Sequence, residues 1–488
     1  MKRSKRPYRL PTPLTCDPAR VANGVTMEIV GEYIRKHEYR MPRYVYLENL
    51  YKGFHDIYHQ PEKEEWKPDN RLAVNFPRYI TETFVGYGYG VPIRVTSPDD
   101  AVNDKIQEFG RDNEITDHNA EMVRLISVYG HAFEYYYQDE QAKTKLTAAT
   151  PKELFVVYDD TLKDRALFAI RYGRHSLDTE MLGGLYGEIM TPGLIETFDG
   201  MDKKETIVNP YGYINCVEWR LNDDRMGLYE PVAGLVETYN AAIGEKANDV
   251  DAFAEAYLEI LGADVDEPTL KDIRDNRFIN LFGTADPKDV LVQFLQKPTA
   301  DATQENLLNR LENLIYQTSM VANLSDKDFG SATSGTALAY KLQAMSNLAV
   351  SVDRKIEKSL RKRYKIFCTL STNTPSKDAW RDLEFKMTRN IPKNVAEETE
   401  AAAQAEGIVS RRTQLSLLSY VPDPDAEIDR MDKEEEDAQK KQQVEFGKNY
   451  FGNGQQVQQV PQQSPKQPND PSFATKNQQQ LPGMPKVK

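Results

Sequence analysis

The sequence predicts an α+β protein, mainly helical and built from more than one domain. Three observations point there. Apolar residues recur at threes and fours over 231–261, 303–322 and 338–364, the period of helices with one buried face. A block at 132–220 instead holds short runs rich in β-branched and aromatic residues, separated by turn residues. With 488 residues, the chain exceeds what one hydrophobic core organises, and about two to four domains are expected.

Residues 1–24 read as a basic, irregular arm interrupted by Pro7, Pro11, Pro13 and Pro18. From Val25 to Tyr58 the pattern is mostly helical, and PEKEEWKPDN (61–70) is a charged connector. A helix is expected from Leu72 to Gly86, followed by an extended run to Val95. Two helices fit between Asn103 and Gly130, the second with Met122, Leu125, Ile126 and Tyr129 on one face. The runs AFEYYY, ELFVVYDD, ALFAIRYG, LIETFDG and INCVEWR then suggest an antiparallel sheet.

A helix over 231–261 is marked by Val232, Leu235, Tyr239, Ile243, Val250, Phe253, Tyr257 and Leu261, with Gly262 as its stop. A small α/β insert follows, with a helix at 267–276 and strands at 277–282 and 289–295. The next helix, 303–322, carries Leu307, Leu311, Leu314, Ile315 and Met320, and the polar stretch 324–336 ends it. Leu338, Leu342, Met345, Ala349, Val352, Ile356, Leu360 and Tyr364 then keep one helical face over a span of roughly 40 Å. Its basic end, residues 361–365, suits the negative pole of the helix dipole. A strand at 383–387 and helices at 392–406 and 411–420 complete the ordered pattern. From Gln439 to Lys488, 19 of 50 residues are Gln or Pro, so this tail is expected to be disordered.

Charge and composition exclude several classes. Lys and Arg number 62 against 75 Asp and Glu, a formal charge of −13, which opposes tight, salt-sensitive DNA binding over a broad surface. No apolar run approaches the roughly 18–20 residues of a membrane span, and no apolar h-region follows the basic start, so a cytoplasmic site of synthesis is expected. Cys16, Cys216 and Cys368 are far apart and read as free thiols, without a zinc or iron–sulfur ligand set.

Gly330–Thr336 has Walker-like glycine spacing but no lysine before the hydroxyl residue, so it reads as a flexible loop with Ser334 or Thr336 capping a helix. Gly86-Tyr87-Gly88-Tyr89-Gly90 lacks the third spacing of a dinucleotide fingerprint and reads as a turn where aromatic residues pack. His55 and His59 share an i,i+4 face without a zincin glutamate, and exposed helix positions are expected for them. Asp423, Asp425, Glu427 and Asp429 alternate like a calcium loop, but Pro424 breaks it, leaving an acidic helix start. No cofactor, metal site or catalytic group emerges.

Ordered motifs across residues 40–430 resemble the portal protein family of tailed phages, as found in siphophages of Gram-positive bacteria. They are KPDNRL (67–72), NFPRYI (75–80), VGYGYGVP (85–92), YGHAFE (129–134), VYDD (157–160), NIPKN (390–394) and GIVS (407–410). The most specific is DFGSATSGTALAYKL (328–342), similar to the family's Phe-Gly-(Gly/Asn)-x-x-Ser-Gly-x-Ala-Leu-x-Tyr-Lys-Leu, with Ser331 where a second glycine is common.

The resemblance implies a ring subunit divided into wing, stem, clip and crown around a central channel. The wing would be 25–228 with a return at 367–391, and the stem helices 229–262 and 303–323. The clip would be 263–302, the tunnel loop 324–335, the long helix 336–366 and the crown 392–438. Asp326, Lys327, Asp328, Phe329, Gly330, Ser331, Ala332, Thr333 and Ser334 would then face DNA in the channel. Implied partners are about a dozen copies of the chain itself, viral double-stranded DNA, the terminase large subunit, a head-completion or adaptor protein, and scaffolding and major capsid proteins. The implied location is the virion's portal vertex, with assembly in the host cytoplasm. A nucleotide-binding enzyme with a degenerate phosphate loop, or another minor capsid component, is the competing reading.

Overall fold

The computed structural model describes residues 12–451, apart from 65–66, 176–183, 255–257, 262–290, 295–300, 325–334, 392–394, 419 and 422–423. The chain divides into two compact units, Met1–Pro392 and Lys393–Lys488. Among the described residues no helix is long and apolar enough to cross a membrane.

In the first unit the helices are α1 (Met27–Glu38), α2 (Met41–Lys52), α3 (Phe76–Tyr89), α4 (Asp100–Asp112), α5 (Ile115–Tyr129), α6 (Ala233–Ala254), α7 (Asp301–Ser319) and α8 (Gly335–Phe367). The strands are β1 (Leu14–Cys16), β2 (Arg94–Thr96), β3 (His131–Gln138), β4 (Thr144–Ala149), β5 (Leu154–Asp159), β6 (Ala166–Arg174), β7 (Leu185–Met190), β8 (Leu194–Asp199), β9 (Asp202–Val208), β10 (Cys216–Arg220), β11 (Leu258–Leu261), β12 (Leu291–Phe294) and β13 (Glu384–Lys386).

The β block forms two sheets. One has the order β1-β5-β6-β7-β8-β9 and the other β10-β3-β4, while β11 pairs with β12 and β13 with β2. Strand β5 is buried along its whole length because both of its faces are covered. Phe155 and Val157 point to a core shared with Val30, Tyr33 and Ile34 of α1. Leu154, Val156 and Tyr158 point the other way, to Phe133 and Cys216 of the second sheet. The other face of that second sheet, with Tyr136, Val217 and Trp219, joins the largest core, built with α2 to α5 and the long α8. The period-2 alternation of side chains thus sorts residues into successive layers.

Two loops meet at the junction of α5 and β3. Gly130 ends α5 with φ +85°, and a Cβ there would lie 2.0 Å from the carbonyl oxygen of Arg225. Glycine is needed both for the left-handed backbone and for the close approach.

Several expectations change. The arm is not irregular throughout, since Leu14–Cys16 forms a strand parallel to β5 with Leu14 and Cys16 buried. The helix expected over 231–261 ends at Ala254, and 258–261 pairs with β12 as a strand. Gly86–Tyr89 is the last turn of α3, with Gly90 as its C-cap, rather than a loop, and Tyr87 and Tyr89 pack inward as expected. Leu307 and Met320, placed on the apolar face of 303–322, are exposed; Leu308, Leu311 and Ile315 form that face. The helix and strand expected at 267–276 and 277–282, and the capping role of Ser334, lie outside the residues whose placement is described, while Thr336 is the second residue of α8, inside the helix instead of capping it.

The second unit holds α9 (Val395–Gln404), α10 (Arg411–Ser416) and α11 (Pro424–Phe451). Asp425 and Glu427 occupy the first turn of α11, where the helix dipole favours acids. This helix runs past Gln439, so the low-complexity composition begins within a helix; residues 452–488 are outside the described set.

Candidate functional site

The predicted site, Asp326 to Ser334, lies wholly outside the described residues. Its two flanks, α7 and α8, are described. Helix α7 packs along α6, with Lys246 2.7 Å from Glu305 and Gln304 donating to Asp249 at 2.8 Å. Tyr316 stands edge-on to Phe76 and Tyr79, each with ring centroids at 5.8 Å. After α7 the backbone turns at Met320, whose φ is +60°, and Val321 is buried. The Leu324 N–H then donates to the Tyr79 hydroxyl at 2.9 Å, which fixes where the chain enters 325–334.

On the far side, α8 buries Leu342, Met345, Ala349, Val352, Ile356, Leu360 and Tyr364, the face its period predicted, with Leu338 half-buried. Polar contacts set its register. Asp353 pairs with Arg389 and accepts from the Tyr89 hydroxyl at 2.9 Å. Lys355 reaches Asp223 at 2.7 Å, and the Ser359 hydroxyl donates to the Glu218 carbonyl at 3.2 Å.

The strongest attachment is buried charge. Arg363 of α8 donates through Nε to both carboxylate oxygens of Glu134 on β3, at 3.1 and 3.0 Å, and through Nη2 to Asn119 at 2.8 Å. Its guanidinium lies 5.1 Å from the Trp219 ring centroid. Glu134 also receives His118 Nε2 at 2.7 Å and the Tyr136 hydroxyl. Burial alone would push its carboxyl up, but Arg363 and His118 outweigh burial and hold it below the usual carboxylate range.

Across the same sheet, Glu218 accepts from His131 at 2.9 Å, Arg225 at 2.7 Å, Arg220 at 2.6 Å and Tyr158 at 2.5 Å. It too is held low against burial. A third pair, Arg43–Glu230 at 2.5 Å, ties α2 to the approach of α6, and both side chains are about 1% exposed. These carboxylates are buried and surrounded by donors. That state suits holding elements in register better than moving protons.

Sequence reasoning missed this network. Carboxylates are too common in an acidic chain to single out Glu134 or Glu218, and Arg363 read only as part of a dipole-favoured basic run. One signal was present: Arg363 falls beside Tyr364 on the apolar face of α8, where an unpaired charge would be costly. His55 also differs from expectation. It is buried before a short 3-10 turn, 2.9 Å from Glu237, while His59 is exposed. The three cysteines are free and buried. Among the described residues no three His, Cys, Asp or Glu side chains gather as a metal site.

The arrangement is therefore a long helix clamped to a layered β domain, leading to a segment flanked by a second helix. The family model "Phage portal protein, SPP1 Gp6-like" matches residues 30–441, and the chain belongs to that family. The portal protein of Bacillus phage SPP1 is 21% identical over 411 residues, covering 80% of each chain. Two solved structures are also similar. The neck of a native GTA particle computed with C12 symmetry is 11% identical, with TM-score 0.40, covering 70% of this chain and 88% of that one. The neck of an empty GTA particle computed with C6 symmetry is 12% identical, with TM-score 0.39, covering 71% and 90%. Both structural likenesses are too slight to carry an argument.

Proposed function

We propose that this chain is the subunit of a portal ring of about a dozen copies, seated at one capsid vertex as the head–tail connector. Viral double-stranded DNA passes through its channel during packaging and ejection. The ring docks the terminase large subunit and then a head-completion protein, and it contacts scaffolding and major capsid proteins during assembly. The observation that carries this reading is the family match, which spans both flanks of 325–334.

The chemistry is compatible with a conduit. A subunit of net charge −13, repeated around an axis, repels phosphate at most points and lets DNA slide. Residues 324–335 would form the tunnel loop, in which Lys327, between Asp326 and Asp328, is the one cation. It would make a transient phosphate contact. The portal positions the motor and does not itself hydrolyse nucleotide.

The native mass of the purified chain tests the assembly: a single species near twelve subunits is expected, and a monomer or dimer at micromolar concentration opposes it. Lys327→Glu tests the loop. It should slow packaging and leave ring mass unchanged; normal packaging rate and DNA length would remove Lys327 from the account.

A further inference from the structure

A water-facing helix in a chain with 28% charged residues ordinarily presents charge to solvent. The second half of α8 does so, with Arg354 and Lys358 exposed. Its first half has only Lys341, half-buried and outside the exposed face. Tyr340, Gln343, Ala344, Asn347, Val350 and Ser351 form one exposed stripe without a single charge. Tyr340 is 75% exposed and Val350 44%, on the side opposite the face the subunit buries.

A second surface has the same character. Between α3, α6 and α7 lies a groove of about 670 Å³, lined by Tyr79, Tyr239 and Tyr316 together with buried Phe76 and the exposed Asn309 and Asn313. Its one charged lining residue, Glu312, accepts from Asn323 at 3.3 Å. The stripe is convex and the groove concave. The stripe has no charge and the groove a single carboxylate that already accepts a hydrogen bond, and depletion of charge with enrichment of tyrosine marks the centre of protein interfaces.

We infer that the two surfaces are halves of one contact: the Tyr340–Ser351 stripe of one copy packs into the Tyr79–Tyr239–Tyr316 groove of the next. A ring of identical subunits requires a contact between different surfaces of neighbouring copies, and each copy carries both halves, so a second copy is the occupant. The halves differ, so the contact is heterologous, and repetition about an axis closes a ring where an isologous contact would stop at a dimer. This inference rests on the ring reading and assigns its interface.

Cysteine pairs test it in the full chain, whose native cysteines are all buried. A short bismaleimide should join Tyr340→Cys/Asn313→Cys double variants into a ladder of covalent oligomers ending at the ring, while either single variant stays uncoupled. Tyr340→Cys alone yielding dimers would overturn the heterologous contact in favour of an α8–α8 one. A ring-sized native mass with no ladder would overturn this interface and leave the ring reading standing. No ring-sized mass in the unsubstituted chain would overturn that reading itself. As a second variant, Asn347→Arg should shift the native mass from ring to monomer, with circular dichroism unchanged. A ring of full mass in Asn347→Arg contradicts the inference.

Discussion

Arg363 and Glu134 are both fully buried, so each depends on the other for its charge. Removing one partner of such a pair typically costs about 3–5 kcal/mol, because the remaining charge is stranded. Arg363→Met should therefore lower unfolding stability by that order in denaturant titration. Adding Glu134→Leu should restore part of the loss, because no buried charge remains. Equal losses in the single and double variants would contradict the pairing. His37 carries a different dependence. Its Nε2–H donates to the Pro151 carbonyl at 2.7 Å, and Nδ1 accepts the Tyr172 hydroxyl at 2.9 Å, so the neutral ring is satisfied on both sides. Burial pushes its pKa down to about 3, against the Pro151 hydrogen bond, and burial likewise takes His131 to about 4 despite Glu218. The unfolded chain takes up these protons near pH 6.5 and the fold does not. Stability is then full above pH 6.5 and falls as pH drops toward 4, at about 1.4 kcal/mol per pH unit for each group. His37→Gln should reduce that slope between pH 6 and 5; an unchanged slope would show that His37 is protonated in the fold. None of these partnerships was legible in the sequence, because they join residues from 87 to 229 positions apart.

At the scale of elements, periodic signals were read well where one face is buried over many turns. The apolar positions predicted for α8 are buried apart from Leu338, which is half-buried, and the two helices between Asn103 and Gly130 appear as α4 and α5. Short elements were read poorly. Three residues at Leu14–Cys16 cannot show a period, and their strand exists only because β5 offers an edge. The same holds for 258–261, where pairing with 291–294 overrides a helical pattern carried in from α6. The α5–β3 turn makes a sharper test of local geometry. Gly130→Ala should destabilise the fold by more than about 1 kcal/mol, since the new Cβ meets both a positive φ and the Arg225 carbonyl. Gly24, with φ +103° and no atom near its Cβ position, separates the two causes. Gly24→Ala should cost less, and equal losses would mean that the approach of Arg225 contributes nothing.

For the molecule as a whole, the order of the motifs along the chain was more informative than any of them singly. Function was read from architecture and from family resemblance, which the match over 30–441 supports. The predicted loop residues, 326–334, lie outside the described set, and what the structure supplies is their setting: α7 and α8 anchored on either side. The central claim is that copies of this chain surround a channel with residues 324–335 facing its axis. Electron microscopy of the assembled full chain, with a gold label on a cysteine placed at Ser331, tests it most directly. The account predicts rings of about a dozen subunits with label at the axial opening. Label confined to the outer rim, or particles without an axial hole, would contradict it.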